Sequence, residues 1–377
     1  MAMTAVLHVV GARPNFMKAA PVYKALRDRA TFSQTIVHTG QHYDNNMSDL
    51  FFRELEIPQP DTNLQVGSGS HARQTAAIMV GFEPVVLKRA PDLVLVYGDV
   101  NSTAAASLVC AKLGVPVGHV EAGLRSFDRS MPEEINRIVT DSLADALFTP
   151  SEDGNENLVH EGIPKGKIFF VGNVMIDSLL HLLPLALERY PSLAERFALR
   201  EYGLVTLHRP SNVDDDETLF RILDALHEIS VDLPLIFPVH PRTRQRLERA
   251  SARPDRRVTL AEPLGYLDFL ALEQNAKLVI TDSGGIQEET TCLGVPCLTV
   301  RENTERPVTL SMGTNVLVGQ DMDILKQQVA SILRGEIKKG KLPPLWDGKA
   351  AERISQVIAS GTWRTSLNST QMPCIST

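Results

Sequence analysis

The chain has 377 residues, 43% hydrophobic and 22% charged, more than one hydrophobic core usually serves, so two domains of roughly 170–200 residues are expected. A formal net charge of −7 argues against a nucleic-acid binder but not against an anionic small molecule held by a few clustered cations. No apolar run reaches the roughly 20 residues that span a bilayer, and the start, MAMTAVLHVVGARP, lacks a signal peptide's basic flank and length, so a cytoplasmic protein with no membrane partner is expected.

In chain order, short β-branched runs alternate with amphipathic stretches, the pattern of βα units on a parallel sheet. Strands are expected at Ala5–Val10, Thr35–Thr39, Leu93–Tyr97, Val117–Val120, Ala146–Thr149 and Ile168–Val171. Helices fall between them at Phe16–Arg27, Asn46–Leu55, His71–Arg89, Ser102–Leu113, Glu133–Leu143 and Glu152–His160. A long helical pattern, Met175–Phe197, follows, with Pro184 and Pro191 expected to kink or interrupt it. The series then restarts with strands at Leu204–Leu207, Leu235–Pro238, Val258–Leu260, Leu278–Thr281, Val295–Thr299 and Asn315–Leu317. Its helices are Glu217–Ile229, Arg242–Ala250, Leu267–Asn275, Gly285–Cys292 and Met322–Leu333.

This gives an N-terminal Rossmann-like domain over 1–172 and a C-terminal one over 173–348. A last helix, 349–360, is expected to pack back on the first domain, ahead of a mobile tail, 361–377. Cys110, Cys292, Cys297 and Cys374 form no CxxC pair and have no His at zinc-ligand spacing, so they read as thiols and no metal site is expected.

The chemistry-bearing residues cluster at strand ends. The first strand runs into Gly11-Ala12-Arg13-Pro14-Asn15-Phe16-Met17-Lys18, a turn into a helix N-terminus where backbone amides attract anions and Arg13 and Lys18 add charge. Asp99 follows Tyr97-Gly98, Glu121 follows His119-Val120, and Glu133 lies in Met131-Pro132-Glu133-Glu134-Ile135-Asn136-Arg137. Glu133 and Arg137, four apart, share a helix face and form a surface pair in the plainest reading. Three carboxyl groups aimed at one edge raise one another's pKa and suit acid–base work.

In the second half, His208-Arg209 and His240 end strands, suited to phosphate oxygens or a proton shuttle. Thr281-Asp282-Ser283-Gly284-Gly285 opens a helix whose amides cradle a diphosphate, with Glu289 one turn in for ribose hydroxyls and Arg306 in the following loop.

In this order GARPNFMK, GDVNST, HVEAGLRS, PEEINR, TDSGGIQEE and TERP closely resemble the non-hydrolysing UDP-N-acetylglucosamine 2-epimerases, from Gly11 to about Gly319. The resemblance implies an α/β protein of GT-B type, with two Rossmann-like domains whose parallel sheets face a central cleft. It implies reversible conversion of UDP-GlcNAc to UDP-ManNAc through a 2-acetamidoglucal, with no cofactor or metal, in a homodimer whose partner molecule is a UDP-sugar. Asp99, Glu121 and Glu133 match the family's acid/base positions, and His208 joins them as a catalytic candidate. Arg13, Lys18, His208, Ser283, Gly284, Glu289 and Arg306 match the UDP and sugar contacts, and Arg137, His240 and Gly285 complete the binding set. The segment Gly40-Gln41-His42-Tyr43-Asp44 lacks the second Gln of many members' allosteric UDP-GlcNAc site, to which Gln41, His42 and Arg209 are the candidates here. Pro210-Ser211-Asn212 after Arg209, and Phe16, also depart from the common pattern. Alternatives are an epimerase for a related UDP-2-acetamido sugar, a hydrolysing relative, a GT-B glycosyltransferase and an inactive nucleotide-sugar sensor.

Overall fold

The computed structural model describes residues 3–41, 54–239, 244, 246 and 257–364, apart from the Arg13 side chain. The chain divides into two compact units, one running to Ser178 and resuming at Pro344, the other spanning Leu179–Pro343.

The first unit is built on β1 (Thr4–Val10), β2 (Phe32–His38), β3 (Thr62–Asn63), β4 (Leu93–Tyr97), β5 (Val117–Val120), β6 (Ala146–Thr149) and β7 (Ile168–Phe170). All described pairs are parallel, in the order β3-β2-β1-β4-β5-β6-β7. Its connecting helices are α1 (Arg13–Arg27), α2 (His71–Arg89), α3 (Asn101–Leu113), α4 (Pro132–Leu143) and α5 (Glu152–His160). A parallel sheet covered on both faces needs strands that are apolar throughout, and β4 is buried at every position. Leu7, Val9, Phe82, Val94, Val96 and Leu147 pack into one core around it.

The second unit repeats the plan. Strands β8 (Gly203–Thr206), β9 (Leu235–Pro238), β10 (Val258–Ala261), β11 (Leu278–Thr281), β12 (Cys297–Thr299) and β13 (Asn315–Leu317) lie in the order β10-β9-β8-β11-β12-β13. In both sheets the order reverses once, between β1 and β4 and between β8 and β11. Ligands of open α/β sheets bind at such switch points, beyond the carboxyl ends of the strands. There β1 leads into Gly11, β4 into Asp99, β8 into His208 and β11 into Ser283, so the topology delivers the sequence motifs to these edges.

Some elements differ from expectation. The helix α6 (Val174–Arg196) is not interrupted at Pro184 or Pro191. Both prolines are exposed, as are Leu180 and Leu187 four residues before each, so the missing amide donors fall on the solvent-facing side of the helix. The two-residue β3 and the one-turn helices α7 (Pro210–Val213) and, further on, Pro307–Ser311 are too short for a periodicity to register. The expected helix Arg242–Ala250 and most of Asn46–Leu55 lie outside the described residues, as does 365–377. No described helix is long and apolar enough to cross a membrane.

The remaining helices are α8 (Asp216–Ser230), α9 (Tyr266–Asn275), α10 (Gly284–Leu293), α11 (Pro307–Ser311), α12 (Met322–Leu333) and α13 (Ala350–Ser360). Helix α13 packs on α1 within the first unit. Its N-terminal amides at Ala350 and Ala351 donate to the Asp177 carboxylate (3.1 and 2.7 Å), and the Trp346 indole N–H donates to Pro150 O at 2.9 Å. Beyond Gly361, Trp363 is buried. The returning chain crosses Gly172, which holds φ +88° and whose missing Cβ would strike Leu345 O. Gly172→Ala is therefore expected to cost about 2–6 kcal/mol from left-handed strain plus a backbone clash, read as a lower urea midpoint at unchanged m.

Candidate active site

At the edge of the first unit, the Lys18 ammonium on α1 forms a buried ion pair with the Glu121 carboxylate beyond β5. Glu121 holds φ +76° because its own amide and that of Ala122 both donate to Phe148 O at 3.0 Å, which bends the chain off the sheet. Gly98, at φ +62°, lies against this pair: a Cβ there would sit 2.7 Å from Lys18 Nζ and 3.0 Å from Glu121 Oε2. Only glycine fits, and the turn it makes presents the next residue, Asp99. The Asp99 carboxylate pairs with Arg137 Nη2 at 2.5 Å and its side chain is 24% exposed, against 4% for that of Glu121. The two carboxylates thus have different solvation, each with its own cation.

Arg137 is aimed from behind. Its Nη1 donates to Glu134 at 2.7 Å, and Glu134 also accepts from the Ser126 and Phe127 amides, both at 2.9 Å. The pair permitted by spacing, Glu133 with Arg137, is not formed. Glu133 is half-buried and has no side-chain hydrogen bond or ion pair among the described residues, because helix phase turns Glu134 inward instead.

A second buried network anchors the turns. His119 lies between Asp141 Oδ1 (2.6 Å) and Gly98 O (2.9 Å), and Asp141 Oδ2 accepts from the Gly123 amide (3.1 Å) and Arg125 (2.7 Å). Arg125 in turn grips Glu161 with two bonds of 2.7 Å. Burial alone raises the Asp141 carboxyl, but His119 and Arg125 together hold it below the ordinary aspartate value.

The Gly11 turn is closed by Asn15, whose Oδ1 accepts from the Gly11 and Ala12 amides (both 3.0 Å) and whose Nδ2 donates to Tyr97 O (2.7 Å). Gln41 is committed to α3: its Oε1 accepts from the Ser102 amide (3.1 Å) and hydroxyl (2.7 Å). His42 and His240 lie outside the described residues.

In the second unit the organising group is Asp282, fully buried at the end of β11. It accepts from the amides of His208 (3.1 Å) and Arg209 (3.0 Å), from Asn212 Nδ2 (3.0 Å), and contacts His208 Nδ1 at 2.9 Å. Burial raises its pKa, yet these donors, led by His208, bring it below the ordinary value. The His208 ring itself is 61% exposed, an imidazole tethered on one side and open on the other. Helix α10 starts at Ser283 with no side-chain cap, which leaves its first amides for an anion. The Arg306 guanidinium lies against Gly284, where a Cβ would collide with it, and is paired with Glu288 (2.9 Å) and Glu305 (3.4 Å). Arg209 reaches Glu305 at 3.4 Å, so both arginines share one buried acid. Gly285 follows in the first turn. Glu289 points inward, accepting from the Tyr266 hydroxyl at 3.0 Å. Among the described residues, no group of three or more His, Cys, Asp or Glu is arranged to hold a metal ion.

Known proteins resemble this chain over nearly its whole length. A family model described as UDP-N-acetylglucosamine 2-epimerase matches residues 24–359. The chain is 43% identical over 365 residues to the UDP-N-acetylglucosamine 2-epimerase of Methanocaldococcus jannaschii, covering 94% of this chain and 99% of that one. It is also 43% identical over 358 residues to the UDP-2,3-diacetamido-2,3-dideoxy-D-glucuronate 2-epimerase of Pseudomonas aeruginosa, again covering 94% and 99%. The crystal structure of the Methanocaldococcus jannaschii enzyme in complex with UDP-GlcNAc and UDP matches with a TM-score of 0.87, covering 95% of this chain and 100% of that one.

The Asp141 network makes a stability prediction. A carboxyl whose folded pKa is depressed stabilises the fold above its unfolded value and loses that contribution as pH falls through the folded value. Asp141→Asn, which removes the carboxylate partner of His119 and leaves Arg125 with Glu161 alone, should cost about 1–3 kcal/mol at pH 7 and flatten the acid limb of the stability curve, measured by denaturant titration from pH 7 to pH 3.

Proposed function

The chain belongs to the UDP-N-acetylglucosamine 2-epimerase family, and from that membership we propose that it interconverts UDP-GlcNAc and UDP-ManNAc by eliminating UDP and adding it back. The observation that carries this reading is the turn at Gly98, where Asp99–Arg137 and Glu121–Lys18 set two differently solvated carboxylates around one backbone bend. Inverting C2 requires a base that takes the proton from one face and an acid that returns one to the other, and two carboxyls in unlike environments suit that division.

In the proposed reaction a carboxylate of the Asp99, Glu121 and Glu133 set removes the C2 proton. The C2–H electrons form the C1–C2 double bond, the C1–O bond to UDP breaks, and 2-acetamidoglucal and UDP result. Protonation of C2 on the opposite face and attack of the UDP oxygen on C1 complete the inversion. Lys18 and Arg137 pair with these carboxylates and fix their orientation. In the second unit, Arg306 and the Ser283, Gly284 and Gly285 amides neutralise the departing diphosphate, worth about 3–4 kcal/mol for each well-placed donor. His208 stands by as a phosphate contact or proton donor, Arg13 and His240 join the substrate contacts, and Glu289 accepts from the ribose hydroxyls. A homodimer acting in the cytoplasm belongs to the same proposal.

A second sugar has support from one relative: the Pseudomonas protein, named for a diacetamido uronate, stands at the same 43% identity as the archaeal one. Proton NMR in D2O with each nucleotide sugar separates the two. UDP-ManNAc carrying deuterium at C2 supports the first reading, and exchange only in the diacetamido uronate supports the second. Release of free ManNAc and UDP would overturn the reversible reaction. Asp99→Asn should lower turnover by about 10²–10⁴-fold while UDP affinity, measured calorimetrically, stays within about threefold.

A further inference from the structure

Behind Glu289 lies a second buried acid that none of the chemistry above employs. Glu273 on α9 is 0% exposed and Glu289 on α10 is 2% exposed. Neither Glu273 oxygen receives an N–H or O–H donor from the described residues; the group it meets is the Glu289 carboxyl. Two ionised carboxylates in contact and shielded from water repel strongly, whereas one proton held between them turns the contact into a hydrogen bond. Burial, followed by the Glu289 charge, pushes Glu273 well above the carboxylate range.

Among the described residues, the other titratable groups facing this pair include two thiols and a phenol. Cys292 on α10 and Cys297 on β12 are raised by burial to about 11 and about 12, so both stay neutral. Tyr266 donates to Glu289, and Lys338, on the far side of Cys297, is itself lowered by burial.

We propose that Glu273 is a positioning residue: it keeps the shared proton, donates it to Glu289 and, with the Tyr266 hydroxyl, fixes the Glu289 carboxylate to receive the ribose hydroxyls of a uridine nucleotide. The inference rests on the ribose role proposed for Glu289 above. Removing the donor takes one anchor from the buried Glu289, so it turns or takes up a proton itself and no longer accepts from ribose. An amide in place of the acid still offers an N–H to Glu289.

The test titrates UDP and 2′,3′-dideoxy-UDP calorimetrically into the full chain at pH 7.5, for the wild type, Glu273→Gln and Glu273→Leu. The wild type should prefer UDP by about 10–100-fold, the worth of hydrogen bonds to a charged group. Glu273→Gln should keep that preference within about threefold, and Glu273→Leu should lose it through weaker UDP binding with the dideoxy affinity unchanged. A wild-type preference that survives Glu273→Leu would overturn the positioning role and leave the ribose role standing. No preference in the wild type would overturn both.

Melting temperature against pH gives an independent reading. A carboxyl raised in the fold contributes stability that is complete below its unfolded pKa and lost as pH rises toward the folded value. The wild type should therefore lose stability more steeply than Glu273→Gln as pH rises above the ordinary carboxylate range, and equal slopes would show that Glu273 does not hold the proton.

Discussion

The buried ion pair of Lys18 and Glu121 dictates the local sequence around it. Glu121 holds a backbone conformation that costs about 1–3 kcal/mol for a residue with a side chain, and such strain survives only where its surroundings leave no alternative. Here the surroundings are the Phe148 carbonyl, which takes two successive amides, and the Lys18 ammonium, which holds the side chain from the opposite side. The pair then fills the space above residue 98, so that position is glycine, and its left-handed turn sets where Asp99 begins. His119, one strand away, closes the arrangement by holding Gly98 O. A charge-conserving replacement of Lys18 by arginine would enlarge the cation within this confined space, so the constraint is one of shape as well as sign.

Both units solve the problem of a strand end with one buried aspartate, and they differ in what the aspartate holds. Asp141 gathers His119, Arg125 and the Gly123 amide, all inside the protein, and so makes a rigid support. Asp282 gathers the amides of His208 and Arg209 but holds a His208 ring that faces solvent. The contrast suits the chemistry proposed for each edge. Proton transfer at carbon tolerates little misplacement, because carboxyl and proton must meet at hydrogen-bond distance. Diphosphate is bound by several oxygens, and a ring tethered at one nitrogen still reaches them.

The architecture was legible because buried parallel strands read as continuous apolar runs and their ends carry the informative residues. Asp99, Glu121, His208 and the Ser283-Gly284-Gly285 turn all follow such strand ends, which is what singles them out in the sequence. The supporting residues were not found, because their partners are remote: His119 meets Asp141 across 22 positions and His208 meets Asp282 across 74. Nothing in a periodicity couples such positions. Glu134 was missed for a sharper reason. Amphipathic phase would bury Ile135, yet Ile135 is 39% exposed and Glu134 is 1% exposed. Polar capture of the Ser126 and Phe127 amides and of Arg137 outweighs the apolar pattern, and two adjacent glutamates give no sign of which one turns inward.

The same reasoning reconciles a net charge of −7 with the anionic ligand proposed for the chain. The arginines of the second unit are not surplus charge: Arg301 and Arg306 both meet Glu305, Arg306 also meets Glu288, and Arg209 joins at Glu305. Counted as charges, this cluster nearly cancels and would attract little. Its value lies in geometry. A guanidinium carries five N–H donors in a fixed plane, so acids gripping one edge orient the remaining donors. The buried glutamates thus fix the direction of Arg306 against Gly284, at the start of a helix whose first amides are free of side-chain caps. In the proposed function, affinity for a diphosphate comes from donors set in place before the ligand arrives, at short range, where the acidic surface is screened and contributes little.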